Sequence, residues 1–374
     1  MKLAIISHTE HYKTNNGEIV GWSPTVNEIN HLLNVFDEIY HVAMLYDGKA
    51  PKSAMAYSNQ RIKFVALKPS GGKTILSKLH SVYNAPSVLK TVSETLKKVD
   101  VFQLRTPTGI GVYLIPYFTF FSNKKGWYKY AGNWNQKNPP LGYRLQRYML
   151  KHQNRKVTIN GKWKNQPKNC YTFENPCLTV KEVTLGEQII TSKKTFRKVS
   201  FCYVGRLEKE KGVERIIKAF TSLSLKHKQK VDKIHLVGNG SDYNYFRELA
   251  KNSGLNIVFH GFLSRKEVFN VYKESHFFLM PTTASEGFPK VIAEAMNFGC
   301  IPIVSNISSI GQYIIDHENG FLIKEVTIEN IEKHIKTVLD FTTEDYLKLV
   351  IKREQVVSKF TFQHYNNRIL NDII

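Results

Sequence analysis

Two short segments in the second half of the chain carry residue types that bind a phosphorylated, polyhydroxylated molecule. Residues 205–212 place Arg206 and Lys211 on a turn bounded by glycines, and residues 286–294 begin and end with a glutamate. Cationic side chains suit a diphosphate because they stabilise its negative charge. Carboxylates accept hydrogen bonds from ribose and sugar hydroxyls. Together the two segments predict a site for a nucleotide sugar.

The local pattern around the second segment indicates how its two glutamates are placed. Residues 277–280 are typical of a buried strand. Pro289 suits the first position of a helix, where its missing N–H would be unpaired anyway, and Gly299 suits the helix end. Glu286 then lies in the loop, and Glu294 lies about one and a half turns into the helix. Because N–H groups at the helix N-terminus lie between them, the pattern favours carboxylates that hold a ligand over an acid–base pair.

The elements that must position these residues alternate along the chain. In the second half, strands are predicted at 199–204, 233–237, 257–259, 277–280 and 302–304. Helical stretches of about 10–15 residues separate them, which predicts a parallel sheet covered on both faces. In the first half, strands are predicted at 3–7, 38–43, 61–66 and 99–104. Residues 158–191 contain Pro167 and Pro176 and are expected to form an irregular crossover.

Length and composition narrow the class of protein. At 374 residues the chain exceeds the roughly 250–300 residues at which one hydrophobic core stops growing, so two domains are expected. A hydrophobic content of 42% excludes a largely disordered chain. No apolar run approaches the roughly 20 residues that cross a bilayer, and the N-terminus predicts a strand rather than a signal peptide. The spacing of the four cysteines fits neither a metal site nor a disulfide framework, which predicts reduced cytoplasmic thiols.

The chain is strongly basic, with 53 basic and 31 acidic residues and a formal net charge of +22. This excess favours anionic partners or reflects a solvated, lysine-rich surface. Between residues 122 and 168, basic residues alternate with aromatic ones. This composition suits an anionic membrane, single-stranded nucleic acid, or a lysine-rich surface over ordinary aromatic core positions. The residues are Lys124, Lys125, Lys129, Arg144, Arg147, Lys151, Arg155 and Lys156, with Trp127, Tyr128, Tyr130, Trp134, Tyr143, Tyr148 and Trp163.

A set of motifs in the second half occurs in a fixed order over about a third of the chain. They are Gly205-Arg206 with Lys211-Gly212, Gly238-Asn239-Gly240, His260-Gly261, Pro281, Glu286-Gly287-Phe288-Pro289 with Glu294-Ala295, Gly299-Cys300-Ile301-Pro302 and Asn319-Gly320. In these motifs the segment from about 199 to 323 resembles the nucleotide-binding half of the retaining glycosyltransferases of the GT-B fold, the group 1 (family 4) class.

The resemblance implies an α/β protein of the GT-B fold, in which two Rossmann-like, doubly wound domains face a central cleft. We expect an acceptor-binding domain at residues 1–180 and a nucleotide-sugar-binding domain at residues 190–358. A C-terminal helix at 360–374 is expected to pack back on the first domain.

The resemblance also implies roles for single residues. Arg206 and Lys211 would hold the diphosphate, Glu286 would bind the donor-sugar hydroxyls, and these three are the expected catalytic groups. Glu294 would bind the ribose. The donor-binding residues expected in full are Gly205, Gly261, Phe262, Leu263, Gly287, Phe288, Pro289, Lys290, Val291 and Glu294.

The N-terminal half departs from the family's pattern, which has a glycine-rich loop after the first strand and a histidine after a strand in mid-domain. Four residues are candidates on the acceptor side. His8 and His11 follow the first predicted strand, Gly17 stands in the place of the loop, and Arg105 lies where the family has its histidine.

The activity implied by the resemblance is retaining transfer of a hexosyl unit from a nucleoside-diphosphate sugar to a glycan or lipid-linked acceptor in polysaccharide or glycolipid biosynthesis. The sequence contains no Asp-x-Asp triplet, so no metal cofactor is expected. The expected location is the cytoplasm, with contact to the inner face of the cell membrane.

Three alternatives remain. A sugar-nucleotide epimerase of the same fold would alter the donor without an acceptor. A glycoside hydrolase would need one protonated carboxyl group, whereas cations and a helix N-terminus favour the ionised form. A basic nucleic-acid-binding protein would leave the two glutamates unexplained.

Overall fold

The computed structural model describes residues 1–70, 83–193 and 198–374, which divide into two compact units. The N-terminal unit contains Met1–Glu174 and Tyr365–Ile374, and the C-terminal unit contains Asn175–His364. The first boundary therefore lies at Glu174 rather than at residue 180.

The N-terminal unit is an α/β unit. Its strands are β1 (Lys2–Lys13), β2 (Ile19–Trp22), β3 (Glu38–Tyr46), β4 (Ala54–Ala56), β5 (Ile62–Leu67), β6 (Val101–Thr106), β7 (Lys125–Tyr130), β8 (Val157–Ile159) and β9 (Cys170–Thr172). Its helices, within the described residues, are α1 (Ser23–Leu32), α2 (Ala85–Leu96), α3 (Gly111–Phe120) and α4 (Leu141–Lys151).

The central strands of this unit are buried on both faces. Among the described strands, β1 pairs in parallel with β3 and β6, and only the pairs β1–β2 and β2–β4 are antiparallel. Alternate residues of β1 enter different cores: Leu3 and Ile5 lie in one, and Ala4 and Ile6 lie in the other. This period of two, with both sets apolar, is what a sheet covered by helices requires.

β1 is longer than predicted and contains an irregularity at its centre. Ile6 pairs with Val42 and Glu10 pairs with Met44, so residues 7–9 lie opposite a single residue. Extra residues in one strand form a bulge, which redirects the side chains that it carries. His8 and His11 therefore lie within a strand rather than in a loop that follows it, because pairing resumes beyond the bulge.

The predicted irregular crossover at 158–191 is wrong for much of its length. It contains the end of β8, all of β9 and most of the helix α5 (Val180–Ser192). The side chain of Thr179 accepts a hydrogen bond from the N–H of Glu182, and the Glu182 carboxylate accepts one from the N–H of Thr179. This capping box starts the helix, and its Thr-x-x-Glu spacing is visible in the sequence.

The C-terminal unit has a sheet whose strands all run parallel, in the order β12-β11-β10-β13-β14-β15. They are β10 (Val199–Val204), β11 (Val231–Val237), β12 (Ile257–Gly261), β13 (Phe277–Met280), β14 (Ile301–Ser305) and β15 (Phe321–Ile323). The helices after α5 are α6 (Val213–Thr221), α7 (Leu225–Lys230), α8 (Tyr243–Lys251), α9 (Arg265–Glu274), α10 (Lys290–Asn297), α11 (Ile328–Leu339), α12 (Thr343–Ile351) and α13 (Glu354–Val357). The order of strands reverses beside β10, as in other doubly wound sheets.

The chain ends in the helix α14 (Phe362–Arg368) and a short π-helical turn, Ile369–Ile373. Tyr365, Ile369 and Ile373 are buried in the same hydrophobic core as Leu3 and Ile5. The end of the chain thus completes the core of the N-terminal unit.

Candidate functional site

The loops at the carboxyl ends of β10, β11 and β12 are joined through their backbones. The N–H of Gly205 donates to the carbonyl of Val237 at 3.0 Å, and the N–H of Gly238 donates to the carbonyl of Gly261 at 2.8 Å. Gly238 has a φ of +129°, and a Cβ atom there would lie 1.9 Å from the carbonyl oxygen of Gly205. Only glycine fits this contact. The loops therefore form one fixed edge where a parallel sheet binds ligands.

The turn that carries Lys211 is fixed against the loop that follows β13. The N–H of Thr283 donates to the carbonyl of Glu210 at 2.9 Å. Gly212 has a φ of +92°, and a Cβ atom there would lie 2.2 Å from the carbonyl oxygen of Pro281. This close approach brings the two sequence segments of the predicted site together.

Lys211 and Glu286 form an ion pair. Lys211 is 7% exposed, whereas the Glu286 side chain is 33% exposed. Burial, and then the nearby Arg206 guanidinium, lower the pKa of the Lys211 ammonium. The N–H of Glu286 donates to the hydroxyl of Ser308 at 3.3 Å, which fixes the backbone of the loop. The site therefore holds a nearly buried cation beside an accessible carboxylate.

Arg206 differs from Lys211 in its exposure. Its side chain is 69% exposed, and its Nη1 donates to Glu208 Oε1 at 2.9 Å. The hydroxyl of Tyr203 donates to the Arg206 carbonyl at 2.7 Å, so the backbone of the turn is fixed while the guanidinium extends into solvent.

The helix that follows Glu286 starts one residue later than predicted. α10 begins at Lys290, and Pro289 is its N-cap, with φ −67° and ψ 119°. The side chain of Phe288 is buried, with ring centroids 4.9 Å from Tyr313 and 4.5 Å from Phe360. Phe288 thus packs the loop against the core, and only its backbone remains for a ligand. Gly287, Lys290 and Val291 are half-buried at the same helix start.

Glu294, on α10, is held by an arginine. Arg265 Nη1 donates to Glu294 Oε1 at 2.5 Å, and Arg265 also donates to Glu182 at 3.2 Å and to the carbonyl of Cys177. Burial alone would lower the pKa of Arg265, but Glu294 and then Glu182 raise it above its ordinary value. Glu294 is 8% exposed. It is therefore one member of a partly buried ionic group, not a carboxylate facing open solvent.

Sequence reasoning missed Arg265 and Glu182. Both belong to helix starts with a recognisable pattern, since Thr179 and Glu182 form one capping box and Ser264 and Glu267 form another. The boxes mark where the helices begin. The contacts of Arg265 with Glu182 and Glu294 depend on the packing of α5 and α9 against α10, and no local sequence pattern predicts that packing.

The residues after β12 offer one exposed ring. Phe262 is 43% exposed, whereas Leu263 is half-buried against the core. Of the residues expected near the nucleotide base, Phe262 is thus the one whose side chain is available for stacking.

The N-terminal unit has a cavity of about 640 Å³ beside the bulge of β1. The lining residues are Ser7, His8, Thr9, Glu10, Tyr12, Trp22, Thr25, Pro51, Ser53, Arg105, Thr106, Pro107, Thr108, Ala131, Gly132 and Tyr143. Two of the four predicted acceptor-side residues, His8 and Arg105, are among them.

The hydrogen bonds of His8 determine its tautomer. Its Nε2 lies 2.5 Å from the carbonyl oxygen of Ser70, so Nε2 carries the proton and donates. Burial lowers the pKa of His8, which favours the neutral ring. Nδ1 is then an acceptor, and it has no hydrogen-bond partner among the described residues.

The other two predicted acceptor-side residues, His11 and Gly17, do not line the cavity. His11 is fully buried, its Nε2 lies 2.8 Å from the hydroxyl of Tyr57, and burial lowers its pKa to about 4. Gly17 lies in the tight turn that joins β1 to β2. The sequence pattern ended the first strand at residue 7 and placed Gly17 in the loop after it. Because β1 continues to Lys13, the turn that contains Gly17 follows a longer strand.

The aromatic residues of the basic stretch are mostly core residues. Trp127, Tyr128 and Tyr130 lie on β7, which pairs with β6 and β8, and they are at most 1% exposed. Lys129, on the same strand, donates to Glu28 Oε1 at 2.6 Å. Residues 127–130 are buried on both faces of β7, so their side chains form no exposed binding surface.

Within the described ranges, no helix is both long and apolar enough to cross a bilayer. The same residues contain no group of three or more histidine, cysteine or acidic side chains arranged to hold a metal ion.

The comparison with protein families identifies the C-terminal unit. Residues 188–354 match the family model described as glycosyl transferases group 1. These residues resemble a group 1 glycosyltransferase domain and are called the group 1 domain below. The group 1 domain contains Lys211, Glu286 and Glu294, and the predicted resemblance is confirmed.

Curated relatives agree with the group 1 domain. An uncharacterized glycosyltransferase of Methanocaldococcus jannaschii is 31% identical over 158 residues, which cover 42% of this chain and 40% of that protein. The lipopolysaccharide 1,6-galactosyltransferase of Salmonella typhimurium is 26% identical over 204 residues, which cover 51% of this chain and 54% of that protein. The matches thus span about half the length of these relatives or less.

A solved structure resembles the chain over its whole length. The crystal structure of HepE from Anabaena in complex with UDP has a TM-score of 0.69 to this chain and is 15% identical, covering 99% of this chain and 98% of that one. The likeness concerns the fold, and it confirms the predicted α/β GT-B class.

The ionic group around Arg265 predicts a difference between two arginines of the group 1 domain. Arg265→Gln should lower the free energy of unfolding by about 1–3 kcal/mol, because it leaves Glu182 and Glu294 without their cation. The expected loss of about 1–3 kcal/mol is smaller than for a fully buried ion pair because the Arg265 side chain is 36% exposed. Arg206→Gln removes an exposed pair and should change it by less than about 0.5 kcal/mol. Urea denaturation measures both, and equal values for the two variants would contradict the partly buried group.

Proposed function

We propose that this protein is a retaining glycosyltransferase that moves a hexosyl unit from a nucleoside-diphosphate sugar to a glycan or lipid-linked acceptor, without a bound metal, in polysaccharide or glycolipid biosynthesis. The observation that carries the proposal is the nearly buried Lys211 paired with Glu286 at the strand ends of a group 1 domain. The complex of HepE with UDP supports a nucleoside diphosphate as the ligand of this fold.

The reaction requires stabilisation of a leaving diphosphate. The bond between the anomeric carbon and the diphosphate oxygen breaks, and a bond from that carbon to an acceptor oxygen forms on the same face of the sugar. The acceptor proton passes to the departing diphosphate. Negative charge develops on that group, and cations placed in advance stabilise it. Lys211 supplies a fixed charge, and the exposed Arg206 supplies one that can move to the ligand.

Glu286 has a second role in this account. In the free protein its carboxylate is occupied by Lys211. When a diphosphate takes over the ammonium, the carboxylate becomes available to accept hydrogen bonds from the donor-sugar hydroxyls. The ion pair thus gives way to two contacts with one donor molecule, so diphosphate and sugar are bound together. Glu294 would reach the ribose from its place beside Arg265.

Binding of nucleoside diphosphates tests the donor site. A nucleoside diphosphate that binds the folded protein raises its melting temperature. Lys211→Met should weaken this binding about 10-fold to 100-fold, because a charged hydrogen bond is lost. Thermal-shift titrations with UDP, GDP and ADP measure the effect. Lys218→Met is the matched control, since Lys218 forms an exposed pair with Glu214 on α6.

Glu286→Gln separates binding from transfer in the same titrations. It should leave nucleoside-diphosphate affinity no weaker, since Lys211 loses a competitor, while glycosyl transfer falls by at least about 100-fold. The donor site is disproved if no nucleotide stabilises the protein or if Lys211→Met binds like Lys218→Met. Conversion of a sugar nucleotide without any acceptor would favour an epimerase instead.

We also propose that the protein works at the inner face of the cell membrane, through a surface formed by α3 and α4. Leu141, Leu145 and Tyr148 are exposed and spaced i, i+4 and i+7, so they form one stripe along α4. Phe120 and Phe121, at the end of α3, are 76% and 79% exposed.

Contacts between the helices place the C-terminal end of α4 beside Phe120 and Phe121, whereas Leu141 and Leu145 lie toward the start of α4, where Gln146 contacts Thr108. Gln153, just after α4, donates to the hydroxyl of Thr119 at 2.5 Å, and Arg155 donates to the carbonyl of Phe118 at 2.8 Å. The exposed Arg144 and Lys151 accompany the stripe. Apolar side chains with flanking cations are typical of a surface that binds anionic lipid.

Vesicle binding tests this surface. The double variant Leu141→Asp/Leu145→Asp should bind vesicles of phosphatidylglycerol and phosphatidylcholine at least about 10-fold more weakly, because two leucines no longer enter the bilayer. Leu225→Asp is the control, since Leu225 is 79% exposed and lies in the other unit. Co-sedimentation measures both. Equal binding of the two variants, or no vesicle binding by the unmodified protein, would contradict the proposal.

A further inference from the structure

The wall of the N-terminal cavity contains a buried arginine with unused hydrogen-bonding capacity. The Arg105 side chain is 10% exposed; its Nε donates to Gln103 Oε1 at 3.0 Å and its Nη2 donates to Glu28 Oε1 at 2.8 Å. Within the described part of the chain, Nη1 has no hydrogen-bond partner. A guanidinium has five N–H donors in a fixed plane, so this one can still bind a planar or tetrahedral anion.

The charge of Arg105 is shared with a second cation. Lys129 Nζ lies 2.6 Å from the same Glu28 oxygen that Arg105 contacts, and the side chains of Lys129 and Glu28 are 6% and 4% exposed. Glu28 is thus shared by two cations, and an anion that enters the cavity would add a charged hydrogen bond to Arg105.

The remaining lining of the cavity suits a sugar ring. Trp22 is 56% exposed at the rim, and the ring of a sugar packs well on an exposed aromatic face. Glu10 is exposed and accepts a hydrogen bond from the Tyr12 hydroxyl at 3.0 Å, so water screens its charge.

We propose that the cavity binds an acidic sugar, one that carries a carboxylate or a phosphate, with the anionic group on Arg105 and the ring against Trp22. The binding of an acidic sugar is argued from the N-terminal unit alone. The role of that sugar as the acceptor rests on the proposed glycosyl transfer. The acceptor is then distinguished from neutral sugars by its charge.

Arg105 and Lys129 provide a matched pair of variants. Arg105→Gln leaves Glu28 paired with Lys129, and Lys129→Gln leaves Glu28 paired with Arg105, so each keeps one cation on the carboxylate. Only Arg105 lines the cavity. A difference between the variants therefore reports on the cavity and not on the loss of one buried charge.

The experiment measures relative affinities of glucuronate, glucose 6-phosphate and glucose by saturation-transfer NMR. We expect the unmodified protein and Lys129→Gln to bind an acidic sugar about 10-fold to 100-fold more tightly than glucose, and Arg105→Gln to lose this preference. Trp22→Ala should weaken all three sugars together. Whichever acidic sugar binds more tightly identifies carboxylate or phosphate as the anion.

Three results would overturn the proposal: equal binding of acidic and neutral sugars by the unmodified protein, an unchanged preference in Arg105→Gln, or an equal loss in Lys129→Gln. A thermal-shift measurement with UDP on each sample separates the two proposals. If the unmodified protein does not bind UDP, the donor site is contradicted, and the sugar affinities still test the cavity.

Discussion

The approach of backbones at the strand ends of the C-terminal unit is the constraint on which the candidate donor site depends. Gly238 and Gly212 each bring one loop within reach of a neighbouring carbonyl oxygen at a distance that excludes any side chain. These contacts are possible because the strands run parallel and end at one edge of the sheet. They fix the turn of Lys211 beside the loop of Glu286, so the ion pair is a product of the backbone and not of two flexible side chains meeting.

Each unit keeps charge out of water near a place where a ligand would bind. In the C-terminal unit Lys211 has one carboxylate partner, and Arg265 has two. In the N-terminal unit two cations, Arg105 and Lys129, share one carboxylate, that of Glu28. Partly compensated buried charge costs stability unless a ligand completes it. The N-terminal arrangement agrees with an acidic sugar, whereas in the C-terminal unit a diphosphate would have to displace Glu286 from Lys211, with the exposed Arg206 supplying further charge.

The sequence predicted the C-terminal unit more fully than the N-terminal unit, for a physical reason. The predicted bounds of β10 and β13 match the observed ones because both are short apolar runs of strand-forming residues that end at turn residues. The bulge in β1 has no such local signal, so His11 was placed in a loop when it is buried in a strand. The aromatic residues of β7 were open to a surface interpretation because alternation with lysine resembles an amphipathic strand. Lys129 is buried with its ammonium against Glu28, a partner far away in the sequence.

The central claim is that a nucleoside diphosphate binds at the strand ends of the group 1 domain. Hydrogen–deuterium exchange with the nucleotide that raises the melting temperature most would test it directly. Amide exchange should slow in residues 205–212 and 286–294, because a bound ligand suppresses local opening. Exchange in residues 7–10, beside the N-terminal cavity, should not change. Protection of residues 7–10 without protection of the two donor-site segments would contradict the account.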